Sequence, residues 1–203
     1  MLNPEQDHPA ENQWDLLVEY GQWLDQGFHA LWVESDDQED LARLLRVDPN
    51  SRLECDLKTA VGVYGRIQEQ AAVWIGSHAP GWTHVLAFGL HPYHLAIRNL
   101  GKRRVFEIFC REELGELEPL NLYYDGKQLG DVTPPYDEGG DMDLPEYMPY
   151  TSGLELGATR NLKRDMHLMA CMVGRISGRF LDRDWFAATR SFYRIPDESW
   201  GVL

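Results

Sequence analysis

Between Ala71 and Val132 the chain breaks into five short apolar runs, AAVWIG, GWTHVLAFG, RRVFEIFC, LNLYYDG and KQLGDV, each bounded by turn residues. Runs of this length, rich in β-branched and aromatic residues, read as strands. The stretches between them narrow the topology. SHAPG and DGK have hairpin chemistry, the second placing Asp125-Gly126 where a positive φ is required. Successive hairpins build an antiparallel meander, because a parallel pair needs a long crossover connection instead.

Helical periods flank this region. From Glu11 to Gln26, the residues Trp14, Leu17, Val18, Tyr20 and Leu24 recur at helical spacing, with Gly27 where a C-terminal glycine belongs. FHALWVES reads as a buried strand. Ser35 and Asp36 offer caps for the helix DQEDLARLLRV, whose Leu41, Leu44 and Leu45 share a face. The stretch ECDLKTAVGVYGRIQEQ fits neither period. Near the C-terminus, NLKRDMHLMACMVGRISG is a helix with Leu162, Met166, Met169, Cys171 and Val173 on and near its apolar side, and DRDWFAATRSFY is a second, capped by Asp182. The first ten residues are expected to fray, and Thr133 to Gly157 is expected to form a long acidic surface loop. The predicted fold is a single α+β domain over residues 1–203. It is an antiparallel β-meander of about five or six strands, with N- and C-terminal helices packed on one face.

Charge and cysteine usage exclude several classes. The net charge of −14 argues against a nucleic-acid binder, which needs a basic surface for phosphate contacts. Cys55, Cys110 and Cys171 are odd in number and form no C-x-x-C, which fits reduced thiols of a cytoplasmic protein. The start, MLNPEQDHPAENQWD, has neither a basic n-region nor an apolar h-region, and no apolar run approaches transmembrane length. The acidity is uneven: Thr159 to Arg194 carries eight Arg or Lys against three Asp. Solvated helices packed on an acidic body explain this without function. The functional account is an acidic surface that attracts a protein partner with a basic one.

The loop region adds tyrosines to the acids. Tyr136, Asp137, Glu138, Asp141, Asp143, Tyr147 and Tyr150 are the candidate partner-binding residues, since aromatic side chains anchor recognition patches. Tyrosines of strands packed on a helix would give the same composition.

Four of the seven histidines fall between His78 and Leu95. If Trp82 to Gly89 is a strand, Trp82, His84, Leu86 and Phe88 share a face, which is the setting of a core histidine. Roughly 26 Å of strand then separates His78, placed in the preceding turn, from His91. His91 and His94 alone fall short of the three or four ligands zinc takes, so no metal is expected. DEGGDMD lacks the ligand spacing of a calcium loop. Neither G-x-S-x-G, G-x-G-x-x-G nor a P-loop occurs, and no cofactor is implied. In a pocket at one end of the sheet, His84, His91 and His94 are the candidate general bases.

The β–α unit FHALWVESDDQEDLARLL, the hairpin VWIGSHAPGWTHVLAFG, the strand RRVFEIF, the turn YYDGK and the closing VGRISGRFLDRDWF together carry a resemblance. From about Phe28 onward the chain resembles a family of uncharacterised actinobacterial proteins, a domain of unknown function. The family brings no catalytic residues. The resemblance implies an accessory or immunity-type role. The function expected is therefore a non-enzymatic, cytoplasmic protein-binding module with an acidic surface. A small-molecule-binding protein or enzyme with a histidine-containing pocket is the alternative.

Overall fold

The computed structural model describes residues 8–20, 27–67, 70–90, 95–111, 116–133, 143–154 and 161–200. The strands are β1 (Phe28–Val33), β2 (Leu53–Cys55), β3 (Ala72–Ala79), β4 (Trp82–Phe88), β5 (Val105–Arg111), β6 (Glu116–Leu117), β7 (Asn121–Tyr124), β8 (Lys127–Asp131) and β9 (Arg190–Arg194). The helices are α1 (Gln13–Tyr20), α2 (Gln38–Leu44), α3 (Leu57–Tyr64), α4 (Leu95–Arg98), α5 (Leu162–Ser177) and α6 (Arg183–Ala187). The fold is α+β.

All nine strands join one antiparallel sheet, in the order β2-β9-β3-β4-β1-β5-β7-β8, with β6 also pairing β5. The two predicted hairpins are present. Asp125 and Gly126 both take positive φ between β7 and β8, and Gly81 does so between β3 and β4.

The sheet is larger than the expected five or six strands, and β9 accounts for the main difference. The sequence DRDWFAATRSFY was expected to be one helix. In the structure α6 ends at Ala187, and the chain then turns extended and inserts between β2 and β3. Its adjacent Phe192 and Tyr193 pack on opposite faces of the sheet, and two neighbouring ladders satisfy its backbone. The ambiguous ECDLKTAVGVYG resolves into β2 and α3, with the Asp56 carboxylate accepting from the Thr59 amide to start the helix.

Helices cover both faces of the sheet, which corrects the expectation of one. Phe28, Ala30 and Trp32 of β1 pack with Trp74, Phe106 and residues of α1, α5 and α6. Leu31 and Val33 pack on the opposite side with Val73, Val85 and the α2 residues Leu41 and Ala42. Strands enclosed on both faces read as continuous apolar runs rather than clean alternations. Every residue of β1 and β4 is buried accordingly.

α1 is tied to the α5–α6 connection by Gln13, whose side-chain amide donates to the Leu181 carbonyl at 3.0 Å and accepts from the Leu181 amide at 2.9 Å. Among the described residues, no helix is long and apolar enough to cross a membrane.

Candidate functional site

Strand register builds a polar row into the middle of an otherwise apolar face. Cys55 of β2 pairs Arg190 of β9, Gly76 of β3 pairs His84 of β4, and His84 pairs Trp32 of β1. The β3–β9 ladder, running through Trp74–Phe192 and Ile75–Ser191, brings Gly76 beside Arg190. The order across the sheet is thus Arg190, Gly76, His84, Trp32. Trp185 of α6 lies over the row. His78 joins it because the β3–β4 register shifts between Ser77 and Ala79. His78 is therefore a strand residue, not the turn residue expected.

Aromatic rings hold the polar groups. The Arg190 guanidinium carbon lies 4.8 Å from the Trp74 ring centroid and 4.4 Å from that of Trp185. The His84 ring meets Trp32 edge-on at 4.7 Å and Trp185 edge-on at 4.5 Å. His78 lies 6.1 Å from Trp32 and 6.3 Å from His84.

Almost none of these polar atoms is hydrogen-bonded. All three Arg190 guanidinium nitrogens, both His84 ring nitrogens, Nδ1 of His78 and the indole nitrogens of Trp32 and Trp185 are buried without a partner among the described residues. Folded proteins pair the large majority of such atoms, so eight in one cluster is exceptional. Arg190 is 4% exposed and His84 0%. His78 Nε2 lies 2.9 Å from the Arg179 carbonyl, which only accepts, so Nε2 carries the proton and Nδ1 keeps its lone pair. The guanidinium and indole nitrogens are donors only. The cluster therefore offers six donor nitrogens, counting one from neutral His84, and two imidazole acceptors.

Its charge state follows from burial. Desolvation, then the neighbouring Arg190 cation and His78, holds His84 well below the usual histidine range. Burial pushes His78 down to about 3, so both imidazoles are neutral at neutral pH. Burial, with Arg179 adding repulsion, lowers Arg190 to about 9, and it remains a cation. Arg179 is already paired, its guanidinium meeting the Asp182 carboxylate at 2.9 Å. Among the described residues, Arg190 is the cluster's one charge without an ion pair or hydrogen bond.

The opposite face carries a second buried polar group. His29 Nε2 lies 2.7 Å from Glu107 Oε1, and His29 Nδ1 donates to the Leu90 carbonyl at 3.0 Å. Both ring nitrogens are engaged, which leaves this imidazole no free nitrogen for chemistry.

The expected site residues scatter. His84 lies on the inner face with Trp82, Leu86 and Phe88, as parity predicted. His91, His94, Tyr136, Asp137, Glu138 and Asp141 lie outside the described residues. Asp143 is exposed, and its carboxylate accepts from the Asp131 amide at 3.2 Å. Tyr147 was expected on a partner-binding surface, but it is a core residue, edge-on to Phe106 at 5.6 Å. The short helical turn Pro145–Thr151 directs it inward. Tyr150 packs partly buried behind it, 6.1 Å away.

Sequence reasoning missed Trp32, His78, Trp185 and Arg190. The available signal was an arginine two residues before the adjacent aromatics Phe192 and Tyr193, which only the placement of β9 makes meaningful. Among the described residues, no three His, Cys, Asp or Glu are grouped to hold a metal ion. Burial raises the Cys55 thiol to about 11 and the Cys171 thiol to about 12, so neither is a ready nucleophile.

A surface groove of about 520 Å³ lies on the α2 side, lined by Asp36, Asp37, Glu39, Arg52, Ile75 and Tyr193 among others. Comparison with family models, curated proteins and solved structures gives no match.

Proposed function

We propose that this protein binds a small organic anion, held by Arg190 between the sheet and helices α5 and α6. The observation that carries the reading is the buried guanidinium without an acceptor among the described residues, beside further unpaired donors. An unpaired buried charge costs several kcal/mol, and a fold retains one at that cost where it serves a ligand. A bound anion supplies the missing acceptors and the missing charge together. The binding site is formed by Arg190, His84, Trp32 and Trp185, with His78 at its edge.

Native mass spectrometry of the protein isolated from its host should find a small anionic adduct, absent when Arg190→Met is expressed in the same host. A bare chain in both preparations refutes the reading.

A second reading follows from the acidic groove. Asp36, Asp37 and Glu39 beside the Tyr193 ring suit a lysine or arginine side chain of a basic protein partner, in keeping with the accessory role implied by the resemblance to the actinobacterial family. Such a partner, captured at low salt, should be lost with Glu39→Lys. Retention of the partner by that variant excludes the groove.

A further inference from the structure

We propose that a groove between the starts of α1 and α5 binds a small zwitterion with an apolar body, a free aliphatic amino acid in the simplest case. The groove is separate from the Arg190 cluster, and the proposal does not rest on the anion reading.

The groove encloses about 550 Å³, within the range of small-molecule sites. Its wall includes the buried Trp14 and Leu168 and the partly buried Leu154, which supply apolar surface.

Hydrogen-bond donors open onto it. Trp14 is only 4% exposed, and its indole nitrogen has no partner among the described residues. An indole N–H only donates, so it calls for an acceptor from outside the chain. His167 adds a second donor. The Gln13 amide donates to its Nδ1 at 3.1 Å, so that nitrogen keeps its lone pair and the ring proton sits on Nε2. Cys171 Sγ is 3.7 Å from both ring nitrogens, in line with neither. Asn161, the N-cap of α5, lines the groove and takes the Arg164 amide at 3.1 Å, which leaves the amides before it as further donors.

Charge sets the ligand class. Most cations of the basic stretch from Thr159 to Arg194 are engaged within the fold. Arg164 meets Asp165, Arg179 meets Asp182, and Arg183 meets Glu11 and Glu19. Arg175 donates to the carbonyls of Tyr150 and Ser152. Lys163 lines the groove and has no partner among the described residues. On α1, Asp15 lines it too, a carboxylate equally without an ion pair. These two charges, on different helices, do not pair with each other. A simple anion would meet Asp15 as well as Lys163, and a simple cation the reverse. A molecule carrying both charges complements the pair. Its carboxylate takes Lys163 and the N–H donors, its ammonium takes Asp15, and its aliphatic part lies against Trp14, Leu154 and Leu168.

Nitrogen-15 NMR of the full chain can follow the Trp14 indole N–H, identified by its loss in Trp14→Phe. Leucine should shift that resonance to saturation. N-acetyl-leucine, which lacks the ammonium, and leucinamide, which lacks the carboxylate, should each bind about tenfold more weakly or not at all. Lys163→Gln and Asp15→Asn change exposed side chains. Each should weaken leucine binding by about tenfold, Lys163→Gln without affecting leucinamide and Asp15→Asn without affecting N-acetyl-leucine. If N-acetyl-leucine or leucinamide matches leucine, the zwitterion is overturned. No shift with leucine, or equal shifts in wild type and both variants, overturns the site. Arg190→Met should bind leucine as wild type does; loss of the response there would assign it to the Arg190 cluster and overturn the groove while leaving that cluster's reading intact.

Discussion

Gly76 lies directly beneath the Arg190 side chain: a Cβ on Gly76 would stand 2.5 Å from both Cγ and Cδ of Arg190. Those atoms are near the root of the side chain, and its far end is packed against Trp74 and Trp185. Swinging it aside would therefore disturb two buried tryptophans. Gly76→Ala should cost about 1–3 kcal/mol, the range for overpacking a dense core. Urea unfolding measures it. A loss below about 0.5 kcal/mol, the usual scatter of surface changes, would mean that Arg190 is not held rigidly in the row.

Arg190→Met should raise stability in ligand-free protein. Methionine fills similar space without a buried charge, and replacing buried ions by apolar side chains is often neutral or stabilising by about 1–4 kcal/mol. The cation–π contacts with Trp74 and Trp185 offset part of that gain. Calorimetry of the two proteins decides. A variant less stable by more than about 1 kcal/mol would assign Arg190 to the fold rather than to a ligand.

His78 and His84 make the fold acid-sensitive. Both have folded pKa values depressed by burial, so as pH falls below about 6.5 the unfolded chain takes up protons that the folded chain refuses. Stability present above that pH is lost on acidification, for His78 down to its folded value of about 3. Each histidine contributes up to about 1.4 kcal/mol per pH unit in this window. Urea midpoints between pH 7 and pH 5 should fall less steeply in His84→Gln than in wild type. Parallel slopes would show that His84 is protonated in the native state.

Glu107 and His29 should separate hydrogen bonding from charge. Glu107→Ala strips the buried His29 of its Nε2 partner and should cost about 3–5 kcal/mol, as breaking buried pairs does. Glu107→Gln can donate its amide to a neutral His29 Nε2 while Nδ1 still serves the Leu90 carbonyl. Its loss should be less than half as large, read from denaturant titration. Equal losses would assign the whole effect to the carboxylate's charge.

The parts legible from sequence were those whose causes are local. Asp125-Gly126 made its hairpin because two adjacent residues had to accept positive φ. Asp182 capped its helix by reaching the Trp185 amide, three residues on. His84 fell on the buried face because side chains alternate along a strand. Other features depended on what each segment packs against. RSFYR has aromatic spacing compatible with a helix and became a strand because β2 and β3 each offered it a free edge. The five runs between Ala71 and Val132 did not reveal that helices lie on both sides, because enclosure by two layers erases the alternation that would distinguish them. The site was hidden for the same reason. Trp32, the hairpin that carries Gly76 and His84, and the segment from Trp185 to Arg190 lie far apart along the chain, and only strand order and register bring the three together. Neither is encoded in a local pattern: each emerges when long-range ladders close and a buried charge is left among tryptophans with no hydrogen-bond partner among the described residues.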